Sequence, residues 1–199
     1  MKNKQITKKI ITGKFKGKTI LLPSKETTRS SKAVVVESFF NTIQFNIIDA
    51  VFVEVFAGSG SVGLEALSRG ASKIYFMEKD KQALRTLQQN IANTDPLACE
   101  VFQGDSFVNI SMVVAKLKKE NSSAYFYIDP PFSFREGMED IYEKMLNLIA
   151  SLPKEHTKLI ILEHMTGLEL PLEIGIYTQQ KSKKFGNTTL TYYKNEEME

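Results

Sequence analysis

The chain has 199 residues, a formal net charge of +3, 42% hydrophobic residues and a single cysteine. That length and apolar content suit one domain with a real core and leave room for a small appendage. Cys99 alone excludes an internal disulfide, His156 and His164 have no cysteine partners for a metal cluster, and no apolar run approaches the ~20 residues needed to span a bilayer. The N-terminus is polar and lysine-rich without an apolar h-region, so the expected setting is reducing and cytoplasmic, with no membrane and no metal. Cys99 reads as a small buried side chain. Charge is distributed unevenly. Residues 1–32 hold ten Lys or Arg against one acid, Glu26, and so carry +9, which leaves −6 on the other 167 residues. A basic segment on a mildly acidic body points to a polyanion partner.

Two short alternating stretches, 8–12 and 18–22, joined by Gly13-Lys14-Phe15-Lys16-Gly17, predict a small hairpin that ends at Pro23. Thr27-Thr28-Arg29-Ser30-Ser31 is a polar loop. Ser30 or Ser31 caps a helix running to about Gln44, with Val34, Val35, Ser38, Phe39 and Ile43 near one face. Residues 1–46 thus form a basic extension, and 47–199 the main domain.

From residue 50 onward strands and helices alternate. Strand 51–56 leads to helix 61–69, and strand 73–77 to helix 80–93, capped by Asp80. Strand 98–102 leads to helix 106–119, and strand 124–128 to helix 138–151. Strand 158–163 is followed by two β stretches, 174–181 and 188–194, around a turn at Gly186-Asn187. This order predicts an α/β fold with a doubly wound, mostly parallel, seven-stranded sheet, Rossmann-like, with a closing antiparallel hairpin.

The most informative stretch is Glu54-Val55-Phe56-Ala57-Gly58-Ser59-Gly60-Ser61-Val62-Gly63, which follows a strand and opens a helix. Gly58 and Gly60 let the backbone turn tightly and approach a ligand without a Cβ in the way. Gly63 lets the helix pack closely on the strand. Glu78 ends the next strand 20 residues after Gly58, where such folds hold ribose hydroxyls. Asp129-Pro130-Pro131-Phe132 lies at the C-terminal end of strand 124–128, the side on which open α/β sheets bind ligands. The two prolines stiffen the turn. The Asp129 carboxylate and the Pro130 carbonyl present only acceptors, which suits the two N–H donors of an exocyclic amine. Phe132 offers a ring for a base to stack on.

Together Glu54, Gly58-Ser59-Gly60, Glu78, Asp105 and Asp129-Pro130-Pro131-Phe132 resemble the class I S-adenosylmethionine-dependent methyltransferases that act on exocyclic amines of bases. Ile10-Ile11-Thr12-Gly13 with Lys16-Gly17-Lys18, Thr28-Arg29, the run Phe56 to Ala71 and Lys184-Phe185-Gly186 resemble, more closely, the bacterial family that methylates guanine N2 in small-subunit (16S) ribosomal RNA. These stretches run from one end of the chain to the other. The resemblance implies S-adenosylmethionine as cofactor and ribosomal RNA, the small subunit or an assembly intermediate as partner. It implies cofactor contacts from Glu54, Phe56, Gly58, Ser59, Gly60, Glu78, Lys79, Asp105 and Ser106. Within that set Glu54 orients the glycine loop or meets the methionine amino end, and Asp105 accepts from the adenine amine or caps helix 106–119. Asp129, Pro130, Pro131 and Phe132 carry the chemistry, and Lys14, Lys16, Lys18 and Arg29 contact RNA. The family usually has Arg-Pro-Thr and an arginine-bearing helix start, whereas this chain has Arg29-Ser30-Ser31 and Lys32. A basic contact is missing or moved there.

Three other readings compete. A dinucleotide-dependent oxidoreductase shares the glycine loop and strand-end acid but has no need of Asp-Pro-Pro-Phe. A non-catalytic RNA-binding protein has no need of Asp129. An N-methyltransferase of DNA adenine, another RNA or a protein amide fits the motif without the family match.

Overall fold

Thr7–Lys9 (β1) and Thr19–Leu21 (β2) pair antiparallel, with Thr7 opposite Leu21 and Lys9 opposite Thr19. The predicted hairpin is therefore present. Gly13 and Gly17, at φ 89° and 83°, turn the chain between the strands. Ile10, Phe15, Ile20 and Leu22 are buried, so the hairpin has an apolar face of its own. The computed structural model describes residues 6–23, 33–130 and 140–196. Arg29, the cap candidates Ser30 and Ser31, and Pro131 and Phe132 lie outside these.

The chain forms two compact units, Met1–Ser106 and Phe107–Glu199. In the first, α1 (Ala33–Thr42) buries Val35, Val36, Phe39 and Phe40. The expected face is thereby corrected: Val34 is 55% exposed and Phe40 is buried in its place. Phe39 and Phe40 pack on Phe52 at 6.1 and 6.0 Å between ring centroids, and this aromatic contact selects the face. Strand β3 (Val51–Glu54) leads to α2 (Ser61–Ser68), β4 (Lys73–Glu78) to α3 (Lys81–Ala92), and a short turn at Pro96–Ala98 to β5 (Cys99–Gln103). The three strands are parallel in the order β5-β4-β3, with Glu54 beside Phe76 and Glu78 beside Gln103. Parallel neighbours need crossovers, which α2 and α3 supply. Asp80 caps α3 as predicted, accepting from the N–H groups of Gln82 at 3.0 Å and Ala83 at 2.7 Å. Cys99 is half-buried rather than buried, and its partial burial pushes the thiol up to about 12.

Helix α4 (Ser106–Lys119), which belongs to the second unit from Phe107 onward, leads to β6 (Ala124–Ile128), whose five residues are all buried. Helix α5 (Ile141–Ser151) crosses to β7 (Thr157–Met165), parallel to β6. β8 (Glu173–Ile174), β9 (Tyr177–Phe185) and β10 (Thr188–Lys194) follow, in the order β6-β7-β10-β9-β8 with β7 through β8 antiparallel. The stretch expected as one strand, 174–181, is two, because the chain reverses at Gly175, φ 59°. Gly186-Asn187 forms the closing turn, with Phe185 opposite Thr188. Among the described residues no helix is long and apolar enough to cross a membrane.

Candidate cofactor and substrate site

Glu54 ends β3 with its side chain buried, 4% exposed. Its carboxylate accepts from the N–H of Gly63 at 2.8 Å and of Val62 at 3.3 Å. These are first-turn amides of α2, which have no partner inside the helix. Of the two roles open for Glu54, holding the glycine loop against its helix is the one seen. Burial pushes its carboxyl up to about 8, against the pull of the Gly63 and Val62 amides. The folded protein thus holds this proton more tightly than the unfolded chain, whose carboxyl titrates near 4.5. Glu54 therefore contributes its stability in full below about pH 4.5 and loses it as pH rises through about 8. Urea unfolding at intervals across that window should show stability declining with pH, and Glu54→Gln should flatten the decline. An unchanged slope in the variant removes Glu54 as its source.

The glycines of the loop divide their roles. Gly58 and Gly60 are left-handed at φ 54° and 76°, a region that favours glycine. A Cβ on Gly58 would meet nothing within 4 Å, which leaves open space beside its backbone. A Cβ on Gly60 would lie 2.4 Å from Leu87 Cδ1 and 3.2 Å from Phe76. The expectation that Gly60 clears space for a ligand is corrected: its bare Cα clears space for α3 and β4. A Cβ on Gly63 would lie 2.5 Å from Phe76 and 2.8 Å from Ile74, in keeping with close packing of helix on strand.

Glu78 organises the same loop. Oε2 accepts from the Gly58 N–H at 2.6 Å, and Oε1 accepts from the N–H groups of Lys79 at 2.8 Å and Asp80 at 2.6 Å. Lys79 Nζ reaches Asp105 at 3.2 Å, and this pair is exposed. Ser106 is buried, and its hydroxyl donates to the Val55 carbonyl at 2.5 Å. Ser59 is buried and Phe56 half-buried. Glu54, Gly58, Ser59, Glu78, Lys79, Asp105 and Ser106 are thus linked through one loop system.

Residues 6–23 of the basic segment are not a detached arm. Buried Glu65 of α2 accepts from the N–H groups of Ile11 at 2.7 Å and Thr12 at 3.1 Å. The Ser68 hydroxyl accepts from the Phe15 N–H at 2.9 Å and donates to the Thr12 carbonyl at 2.5 Å. A Cβ on Gly13 would fall 1.7 Å from the Ser68 carbonyl oxygen, so only glycine permits this docking. Buried Asn90 of α3 grips Leu21. The hairpin leaves its lysines outward. Lys16 is exposed, Lys14 pairs with Asp95 at 3.6 Å, and Lys18 donates to the Asn93 carbonyl at 2.7 Å. Glu65, Ser68 and Asn90 escaped the sequence reading. One signal was present: Asn90 occupies an inward position of a mostly apolar stripe, Ala83, Leu84, Thr86, Leu87 and Ile91.

In the second unit, buried β6 delivers Asp129 and Pro130 to its C-terminal end, Asp129 half-buried and Pro130 buried. Just before them, Tyr127 donates to Glu163 of β7 at 2.5 Å in a buried hydrogen bond that braces the strand end. His164 is buried beside Thr191, at 2.8 Å, and burial lowers its pKa.

A strand, glycine loop and helix with a strand-end carboxylate, in an α/β chain whose fourth main strand ends in Asp-Pro-Pro, defines a class I S-adenosylmethionine-dependent methyltransferase. The solved structure "Putative methyltransferase yhhF from Escherichia coli" matches it with a TM-score of 0.77 and 26% identity, over 96% of this chain and 99% of that one. An RNA methyltransferase from Salinibacter ruber, solved with S-adenosyl-L-homocysteine, shares the fold at a TM-score of 0.56 and 12% identity, over 85% of this chain and 95% of that one. The chain belongs to the family described as "Conserved hypothetical protein 95", whose model matches residues 8–194. "Putative rRNA methyltransferase YlbH" of Bacillus subtilis is 28% identical over 94% of this chain and 98% of its own length. Ribosomal RNA small subunit methyltransferase D of Escherichia coli K12 is 31% identical over 71% of this chain and 66% of its own length.

Proposed function

We propose that the chain methylates the exocyclic N2 amine of a guanine in small-subunit (16S) ribosomal RNA. The observation that carries this is the joint presence of a methyltransferase loop, an acceptor-only Asp129-Pro130 strand end and a docked basic hairpin. The names of the relatives support ribosomal RNA as the substrate class. The Haemophilus influenzae and E. coli relatives are named for the small subunit.

The loop fits the cofactor. Glu78 already accepts three backbone N–H bonds, and an ionised carboxylate has about four acceptor sites. One site is left for a ribose hydroxyl. The open side of Gly58 admits a ligand close to the backbone. Bound there, S-adenosylmethionine supplies an electrophilic methyl on its sulfonium. Asp129 and the Pro130 carbonyl accept from the amine, fix its nitrogen for in-line attack and stabilise the positive charge that grows on it. Lys79 and Asp105 close the adenine side, and Phe132 stacks on the base. Residues 1–46 position the RNA, and 47–199 hold the cofactor and the reacting groups.

Incubation with labelled cofactor and naked ribosomal RNA, assembled small subunits or DNA, followed by mapping of the label, tests the reading. Label at guanine N2 in 16S RNA is expected, and label confined to DNA overturns it.

Hairpin lysines supply phosphate contacts that position RNA without reading its sequence. Truncating the hairpin is not a clean test, since it would strip partners from buried Glu65, Ser68 and Asn90. Changing Lys14, Lys16 and Lys18 together to Gln leaves those bonds intact. This should weaken RNA binding and flatten the log–log salt slope by up to about one unit per lost phosphate contact. Identical slopes for variant and wild type would leave the hairpin without a role in RNA contact.

A further inference from the structure

We propose that Asn90 is a positioning residue that couples the basic hairpin to the cofactor loop, so that cofactor and RNA reinforce each other's binding. The RNA half of this rests on the function proposed above. The cofactor half does not.

Asn90 is 1% exposed. Its Oδ1 accepts from the Leu21 N–H at 2.9 Å, and its Nδ2 donates to the carbonyls of Leu21 and Ser59, both at 2.9 Å. A flipped amide would set its oxygen against two carbonyls, so these partners dictate the orientation. One buried side chain therefore holds the second strand of the hairpin with one hand and the glycine loop with the other. Ser59 lies between the two left-handed glycines, and its neighbour Gly58 donates to Glu78. The hydrogen-bonded path from Leu21 to the strand-end carboxylate is thus short and mostly buried.

A second, separate link runs through α2, the helix that the glycine loop opens. Its Glu65 and Ser68 hold Ile11, Thr12, Lys14 and Phe15 of the hairpin. The hairpin is therefore fastened to α2, which the loop opens, and to α3, which backs it through Leu87 against Gly60. Displacing the hairpin would strip buried Asn90 of both its Leu21 bonds and buried Glu65 of two backbone donors, leaving them only Ser59 and Arg69, and displacing Ser59 would take a bond from the same Asn90 amide. Neither end can loosen without disturbing the other. A ligand that orders one end reduces what the second ligand must order, which is positive coupling without a large conformational change. The lysines that face RNA sit on the outward side of the hairpin whose inward side makes these bonds.

Two measurements decide it. In wild type, adding S-adenosylhomocysteine should slow hydrogen exchange at the Ile11, Thr12 and Leu21 amides, although no ligand atom touches the hairpin in this scheme. Unchanged exchange at those amides under saturating ligand overturns the proposal. This arm contains no RNA, so it stands whether or not the RNA reading does. In the second arm, calorimetry gives S-adenosylhomocysteine affinity with and without a saturating 16S RNA transcript. Wild type should bind about fivefold tighter or more with RNA, the lower end of ordinary coupling. Asn90→Ala and Asn90→Asp, each confirmed as folded by thermal melting, should bring that ratio close to one. A merely structural Asn90 would lower the melting temperature and leave the ratio unchanged, and that result overturns the proposal. If neither variant folds, the exchange arm decides. A transcript that binds without changing cofactor affinity in wild type overturns the coupling and spares the function. A transcript that does not bind removes both the RNA reading and the RNA half of the coupling.

Discussion

Asp129→Ala is expected to bind cofactor like wild type and to lose methyl transfer by about 10²–10³-fold. Asp129 acts by differential binding. Before reaction the target amine is neutral, and a carboxylate accepting its N–H bonds gains little. As nitrogen attacks, it acquires positive charge, and an acceptor already aimed at it gains most at that moment. Removing one such preorganised group typically costs about 2.7–4 kcal/mol in the transition state. Asp129 is placed for this by a strand whose five residues are all buried and whose Tyr127 is tied to Glu163. Substitution at the strand end leaves that brace in place, so the variant should fold. Calorimetry with S-adenosylhomocysteine and single-turnover transfer with saturating RNA separate the two quantities. Wild-type turnover by the variant would remove Asp129 from the mechanism.

The second large effect contrasts two glycines two residues apart. Gly60→Val should destabilise the protein by roughly 2–6 kcal/mol, combining about 1–3 for a left-handed β-branched residue with about 1–3 for overpacking. Its Cβ alone would meet Leu87 at 2.4 Å, and φ is 76°. Gly58→Ala should cost only about 1–2 kcal/mol, the price of the left-handed backbone, since no atom lies within 4 Å of the added carbon. It should nonetheless weaken cofactor binding by more than its lost stability accounts for, because that carbon enters the open side of the loop. Urea midpoints and calorimetric affinities on both variants test the division of roles. A stable Gly60→Val protein that fails only in cofactor binding would return Gly60 to the ligand side.

Much of the fold was legible because its signals are local. Alternating apolar residues marked the hairpin strands, Asp80 marked the start of α3, and Gly186-Asn187 marked the closing turn. Each depends on neighbours within a few residues. The glycine loop and Glu78 were legible for the same reason, since a strand, a turn and a helix in succession leave a pattern in the chain. The face of α1 was less legible. Val34 and Val36 are equally apolar, and only the packing against Phe52 decides which is buried.

What sequence alone determined about this protein is therefore its alternating α/β order, its methyltransferase loop and the concentration of positive charge in its first 32 residues. Only the tertiary structure decided that the hairpin within this segment is locked to α2 and α3 through Glu65, Ser68 and Asn90. It also decided that Gly60 serves packing and that Glu54 binds a helix start. The physical reason is separation along the chain. Asn90 meets Leu21 across 69 positions and Glu65 meets Ile11 across 54. A polar residue on an apolar stripe announces that it needs a partner, but which backbone group satisfies it is set by how the elements pack.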